Sequence, residues 1–267
     1  MTKIALCLLA VLVACADDGV DPITKITAPR VLAITTEPLA LPLDGELELT
    51  ALIVDPEGPR LGDAVRMRAC APWKFIADPA RDCIGDDALP LERDDTGRIA
   101  TTAAMLAAAF PSPSGVPAPP DPWRAALAAG LELRIPIIAE IDVDGRTLVA
   151  RRDIDVVETT TPRQNPRLVE IRFDGVATQT LRAGQRYTLT ATVDPASLDE
   201  LEQVTCNFFS PTGELAKPEV DIEDPTADSE TAPNAYTAGE PGITWLFVVA
   251  TDDTGGMSAA SIRLTIE

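Results

Sequence analysis

Residues 242–267, GITWLFVVATDDTGGMSAASIRLTIE, decide the fold class. Two apolar stretches, Ile243 to Thr251 and Ser258 to Ile266, flank the run Asp252-Asp253-Thr254-Gly255-Gly256. Side chains that alternate with a period of two indicate strands, and glycine supplies the positive φ that a tight connection needs. The stretch therefore predicts a β-hairpin that ends the chain.

Both faces of the first strand in this hairpin are apolar. The hairpin resembles the last two strands of bacterial Ig-like and PKD-type domains, and the resemblance implies that one face fills the core of a β-sandwich with Leu246, Val248 and Ala250. The residues on the other face are then Trp245, Phe247 and Val249. An apolar surface of this size indicates contact with a partner. The alternatives are cover from within the chain, by the first domain or the acidic 221–231 segment, and the opposite register with Trp245 in the core.

An earlier hairpin is predicted in the first half. The stretches Leu131 to Val143 and Thr147 to Val157 flank Asp144-Gly145, a dipeptide typical of a two-residue primed turn. Both halves of the chain are thus rich in strands, and antiparallel sandwiches are the expected architecture.

Two short matches suggest that the halves are related. PRVLAI at residues 29–34 recurs as PRLVEI at 166–171, and LTA at 49–51 recurs at 189–191. An Asp-Pro pair follows each copy of LTA, where proline cannot continue a central ladder. The sequence therefore predicts an all-β protein of two tandem antiparallel β-sandwich domains, at residues 29–157 and 166–267, and the resemblance of the terminal hairpin implies that they are Ig-like β-sandwich domains.

The remaining segments are connections. Residues 15–28 are expected to be a tether, and residues 158–165 a linker short enough to set the domains end to end as a rod. The first domain carries an insertion with an alanine-rich stretch from Thr101 to Phe110, the proline-rich loop PSPSGVPAPPDP at 111–122, and a short helix from Pro122 to Ala129.

The leader, MTKIALCLLAVLVACADDG at 1–19, has a positive Lys3 and an apolar core from Ile4 to Val13, which is too short to span a bilayer. Leu12-Val13-Ala14-Cys15 resembles the lipobox of bacterial lipoproteins. The resemblance implies loss of residues 1–14 as signal peptide, acylation of Cys15, and anchoring by the N-terminal lipid. Ala16, in place of an aspartate, implies the outer membrane of a Gram-negative cell. The alternative is an ordinary secretory signal.

Composition excludes several functions. The formal net charge is −20, so the chain lacks the basic footprint that nucleic acid requires. It has no histidine, which removes Ser-His-Asp and Cys-His catalysis and His-ligated zinc. We therefore expect no enzyme activity and no cofactor, although a hydrolase with paired carboxylates stays open by residue type.

Three cysteines remain once Cys7 is removed with the leader and Cys15 is acylated. Cys70 and Cys83 are close enough in sequence to pair in an oxidising envelope, closing a loop worth about 3 kcal/mol. Cys206 is then free, within an apolar strand. The alternative for the pair is two buried thiols.

One acidic segment is a weak calcium candidate, through Asp221, Glu223, Asp224 and Asp228. The alternative is a solvated acidic loop. Together these features predict a non-catalytic, lipid-anchored envelope protein that presents Ig-like domains for adhesion or assembly, with a protein or cell-surface glycan as partner. The alternatives are a structural subunit of a periplasmic or outer-membrane complex and a carbohydrate- or peptidoglycan-binding module.

Overall fold

The computed structural model describes residues 23–60, 65–72, 83–94, 98–110, 121–158, 164–198, 203–222 and 231–267. Within these ranges the chain is all-β apart from two short helices and two 3-10 turns, and it folds into two sandwiches in tandem. Each sandwich encloses its own hydrophobic core between two sheets.

The first sandwich is built from the strands of residues 30–157. They are β1 (Arg30–Glu37), β2 (Leu41–Pro42), β3 (Glu46–Asp55), β4 (Gly58–Pro59), β5 (Arg66–Cys70), β6 (Ala88–Leu91), β7 (Ile99–Thr102), β8 (Arg134–Val143) and β9 (Arg146–Val157). One sheet has the order β1-β3-β4, with β7 also paired to β3, and the other has the order β2-β9-β8-β5-β6. A 3-10 turn, Gly85–Asp87, precedes β6.

The second sandwich is built from the strands of residues 168–266. They are β10 (Leu168–Phe173), β11 (Thr180–Leu181), β12 (Arg186–Val193), β13 (Val204–Phe209), β14 (Glu214–Leu215), β15 (Glu219–Ile222), β16 (Thr231–Thr237), β17 (Gly242–Asp252) and β18 (Met257–Ile266). The sheets have the orders β10-β12-β16-β14 and β11-β18-β17-β13-β15. The other 3-10 turn, Pro195–Ser197, follows β12.

The two sandwiches share a topology, and the short sequence matches occupy equivalent places in it. Ile34 pairs with Ala51 between β1 and β3, and Ile171 pairs with Ala191 between β10 and β12. In each sandwich the next short strand joins the other sheet in parallel, β2 beside β9 and β11 beside β18. All other strand pairs are antiparallel within the described ranges.

Local sequence explains the turns and the insertion. Asp144 and Gly145 have φ angles of 52° and 75°, as the predicted primed turn between β8 and β9 requires. The helices are α1 (Ala103–Ala109) and α2 (Pro122–Ala128), and the Asp121 carboxylate caps α2 by accepting from Arg124 N at 2.9 Å. They bury Leu106 and Trp123 in the first core. Residues 111–120 of the proline-rich loop lie outside the described residues.

The expected end-to-end rod is wrong. Strand β1 lies alongside β18, so the sandwiches pack side by side. Leu47 and Leu49 of β3 fill the first core, whereas Leu52 and Val54 face the second sandwich. Both facing sheets carry apolar residues on their outer sides, and packing them together removes that surface from water. No helix among the described residues combines the length and apolarity needed to cross a bilayer.

Candidate functional site

The predicted disulfide between Cys70 and Cys83 is present, with the two Cα atoms 5.5 Å apart. Both cysteines are fully buried and pack with Ile138. The bond ties the end of β5 to the segment that leads into β6, and it flanks residues 73–82, which lie outside the described ranges. Cys206 is free and buried in the second core, where burial raises the pKa of its thiol to about 12.

The outer face of β17 is an interface between the two sandwiches. Leu246, Val248 and Ala250 point into the second core. Phe247 is completely buried with Val54 of the first sandwich and with Ile26. Leu32, Leu52, Phe209 and Trp245 complete this cluster, and Val249 is also buried. The expected contact of Trp245, Phe247 and Val249 with a partner is therefore wrong, because this face is buried by the chain itself.

Trp245 fits against the turn between β3 and β4. Gly58 has a φ of +135°, and a Cβ added there would lie 2.5 Å from the indole Nε1. The ring of Trp245 stacks on that of Phe247, with ring planes 11° apart. The absence of a side chain at Gly58 is thus what lets the indole approach the first sandwich.

The segment before β1 belongs to this interface. Ile26 N donates to Ser210 O at 3.1 Å, and Ser210 N donates to Thr24 O at 2.9 Å. The guanidinium of Arg30 donates to the carbonyls of Ile23, at 3.0 Å, and Lys25, at 2.8 Å. The last residues of the expected tether are therefore held on the second sandwich, with Ile26 wedged between the two. In the sequence, the only signal of this docking was the presence of isoleucines in an otherwise polar segment.

Polar contacts join the sandwiches near the turn between β17 and β18. The Asn165 side-chain amide donates to Thr36 O, and its oxygen accepts from Met257 N at 2.9 Å. The Arg152 guanidinium donates to Ile34 O at 2.5 Å and to Gly255 O at 2.8 Å. Desolvation lowers the pKa of Arg152, an effect that the charge of Asp252 opposes.

Asp252 shapes the turn that Arg152 contacts. Its Oδ1 accepts from Gly256 N at 2.6 Å, from Thr254 N at 2.9 Å and from the Thr254 hydroxyl at 2.8 Å. Its Oδ2 is buried without a hydrogen-bond partner. A Cβ at Gly256 would lie only 2.0 Å from this oxygen, so the turn packs tightly on the carboxylate.

A cleft of about 620 Å³ opens where the linker meets both sandwiches. Its lining includes Glu37, Asn165, Arg167, Asp194 and Ser258. Arg167 pairs with Asp194, and the pKa of Asp194 lies below its usual value, first because Ala196 N donates to the carboxylate and then because of Arg167. These charged groups are paired with each other within the cleft wall, an arrangement typical of a structural contact.

The other sequence candidates are only partly described. Asp221 lies on β15, where its Oδ1 accepts from the Thr205 hydroxyl at 2.6 Å. Glu223, Asp224, Asp228 and Cys15 lie outside the described residues. Across the described ranges, no three acidic or thiol side chains come close enough together to hold a metal ion.

No protein-family model matches the chain, and no curated protein matches it. Among solved structures, a lipoprotein of Bacteroides thetaiotaomicron is 14% identical over 42% of this chain and 85% of its own, with a TM-score of 0.27. An adhesin of Yersinia pseudotuberculosis is 12% identical over 87% of this chain and 58% of its own, with a TM-score of 0.26. Fibronectin(III)-like modules of Clostridium thermocellum are 10% identical over 88% of this chain and 94% of their own, with a TM-score of 0.26. Similarity at this level assigns neither a family nor a function.

Proposed function

We propose that the chain is a non-catalytic lipoprotein of the bacterial outer membrane, acylated at Cys15, whose joined sandwiches present a surface for adhesion or assembly. The observation that carries the proposal is the leader, in which Leu12-Val13-Ala14-Cys15 follows an apolar core of signal-peptide length. The buried Cys70–Cys83 disulfide supports it, since such bonds persist in the oxidising envelope.

Contact between the sandwiches supports a role in presenting a surface. Phe247, Val54 and Ile26 exclude water from the interface, so the two sandwiches act as one body rather than as beads on a flexible linker. A body of that kind holds its exposed loops in a fixed mutual arrangement. Preorganisation of this sort reduces the entropy lost when a partner binds.

The partner that we propose is a protein. Sugar-binding modules present aromatic rings that stack on pyranose faces, yet no described aromatic side chain is among the exposed large hydrophobic residues. Trp123 is 3% exposed, and Trp245 is partly covered by the first sandwich. The high negative charge favours a partner surface with positive patches, because complementary charge steers association.

Acylation is tested by Cys15→Ser in the full-length chain, expressed in a Gram-negative host. We expect loss of acyl chains by mass spectrometry and release from the membrane fraction. Cys7→Ser is the matched control, because Cys7 is removed with the leader and its substitution should leave acylation unchanged. Acyl chains on the Cys15→Ser protein would refute the anchor.

The partner is tested by cross-linking on intact cells, with a photoreactive residue at exposed positions of both sandwiches. We expect one recurrent protein adduct that requires the folded chain. Adducts that contain only glycan would refute the proposed assembly with a protein. Equally abundant adducts from a variant that does not fold would refute it as well. Protease treatment of whole cells then separates surface display from a periplasmic role.

A further inference from the structure

The outer face of β17 changes from buried to exposed along its length. Phe247 is 0% exposed beneath the first sandwich, Val249 is 4% exposed, and Trp245 is partly covered. Ile243, the next residue on the same face, is 60% exposed. The apolar stripe that joins the sandwiches therefore continues beyond their interface and ends uncovered.

The N-terminal segment leaves the protein at this same end. The Ser210 hydroxyl donates to Trp245 O at 2.8 Å, and Ser210 N donates to Thr24 O at 2.9 Å. Ser210 therefore binds both Thr24, which follows Ile23, and Trp245, which lies two positions after Ile243. Ile23 is 73% exposed, so the end carries two solvent-exposed isoleucines on either side of one serine.

The path of the segment is fixed at its exit. Arg30 holds the carbonyls of Ile23 and Lys25, and the backbone of residues 24–26 is bonded to Ser210. Residues 16–22 separate Ile23 from Cys15. An extended chain of that length reaches at most about 28 Å. An acylated Cys15 would keep this end of the second sandwich close to the bilayer surface.

We infer that the end of the second sandwich that carries Ile23 and Ile243 rests on the phospholipid surface in which the acyl chains of Cys15 are inserted. The inference rests on the proposed lipid anchor and adds the orientation of the folded body. Exposed isoleucines are stabilised at the boundary between headgroups and acyl chains, as the apolar sides of interfacial segments are.

Charge specifies the kind of lipid. Lys25 and Arg30 lie near the exit and the exposed Arg263 pairs with Trp245 between β18 and β17, but Glu214 and Glu240 line the neighbouring cleft with Lys25. The chain as a whole carries −20, so anionic headgroups repel it. The contact is therefore apolar in origin, and a zwitterionic phospholipid surface suits it.

The opposite end of the same strand provides a matched reference. β17 has 11 residues, and at about 3.3 Å per residue its two ends are roughly 33 Å apart. Asp253 is exposed just beyond the far end. A probe at residue 253 should stay in water while a probe at residue 243 meets lipid.

The test uses the full-length, acylated protein in phosphatidylcholine vesicles that contain a spin-labelled lipid. Ile243→Cys and Asp253→Cys are each labelled with a polarity-sensitive maleimide dye; the buried Cys206 thiol, with its pKa of about 12, stays unlabelled in the folded protein. We expect loss of most of the dye fluorescence at residue 243 and little loss at 253. Thermal melting before reconstitution confirms that both variants are folded.

Equal quenching at both positions, in protein shown by mass spectrometry to be acylated, would overturn the orientation while leaving the anchor in place. Stronger quenching at 253 would overturn it in the same way. Protein without acyl chains would overturn the anchor and the orientation together. The two failures are therefore distinguishable from one preparation.

Discussion

Trp245 of the second sandwich lies directly on Gly58 of the first, so closely that a Cβ on Gly58 would meet the indole Nε1 at 2.5 Å. The contact gives the interface a position where one added methyl group must separate the sandwiches or displace the ring. The two residues are far apart in sequence, and each belongs to a different sandwich.

Gly58→Ala is expected to lower the free energy of unfolding by about 1–3 kcal/mol more than Gly242→Ala, because overpacking adds to the backbone strain. The two glycines have similar φ angles, +135° and +148°, but a Cβ on Gly242 meets nothing within 4 Å. Urea unfolding of both variants measures the difference. Equal losses would show that Trp245 does not press on Gly58, and addition of Trp245→Ala should recover part of the Gly58→Ala loss.

Phe247→Ala is expected to cost about 3–5 kcal/mol of unfolding free energy, as truncation of a buried phenylalanine does. Ile243→Ala, on the same face of β17 but 60% exposed, is the control and should change stability little. Chemical denaturation with tryptophan fluorescence measures both. A Phe247→Ala protein as stable as the control would mean that the first sandwich does not cover this face.

Asn165→Ala removes the side chain that connects Thr36 of the first sandwich to Met257 of the second. We expect faster hydrogen exchange at the Met257 amide and a loss of about 1–3 kcal/mol, the cost of leaving buried backbone groups without partners. Gln164→Ala, at the adjacent exposed position, should leave the exchange unchanged. Unaltered exchange in Asn165→Ala would contradict the bridging role.

Thiol labelling tests the cysteine assignments, in protein that mass spectrometry shows to have lost residues 1–14 and to be acylated at Cys15 as proposed. At pH 8 the folded protein should not react, because the Cys206 thiol is buried and its pKa is about 12. After denaturation without reductant only Cys206 should be modified, and reduction should then expose Cys70 and Cys83 as well. Modification of all three without reductant would exclude the disulfide.

The same thiol makes stability depend on alkaline pH. Burial raises the pKa of the Cys206 thiol from its ordinary value of 9.0 to about 12, so between these pH values the unfolded state holds fewer protons and the free energy of unfolding falls as pH rises. Below pH 9 the buried thiol does not reduce the free energy of unfolding. Above pH 9 this free energy falls by up to about 1.4 kcal/mol per pH unit. Cys206→Ala should show a shallower decline. Burial also raises the pKa of Tyr236, but that effect is common to both proteins and cancels in the comparison.

Periodicity and turn chemistry predicted much of the fold. The alternation in β17 separated Leu246, which enters the core, from Phe247, which does not. Asp144-Gly145 located one hairpin, and the spacing of Cys70 and Cys83 indicated their pairing. Each of these features is encoded within a few residues of the chain.

What covers the outer face could not be read in the same way. The contact of Ile26 with Phe247 joins opposite ends of the sequence, and no local pattern records it. Gly58 looks like an ordinary turn glycine in Glu57-Gly58-Pro59, and only the folded arrangement shows that its missing side chain accommodates Trp245. These pairs of residues, distant in sequence, determine that the sandwiches pack side by side. The same pairs determine that the predicted partner site on β17 is covered.

The docking of the N-terminal segment also imposes an order of events during biogenesis. Ile26 emerges early in synthesis, whereas Ser210 and Phe247, which hold it, belong to the last quarter of the chain. Until that quarter has been synthesised, Ile26 lacks both its backbone partner Ser210 and its packing partner Phe247. The contact between the two sandwiches at Ile26 can therefore be completed only after the C-terminal hairpin has formed, although one of its residues is among the first to be synthesised.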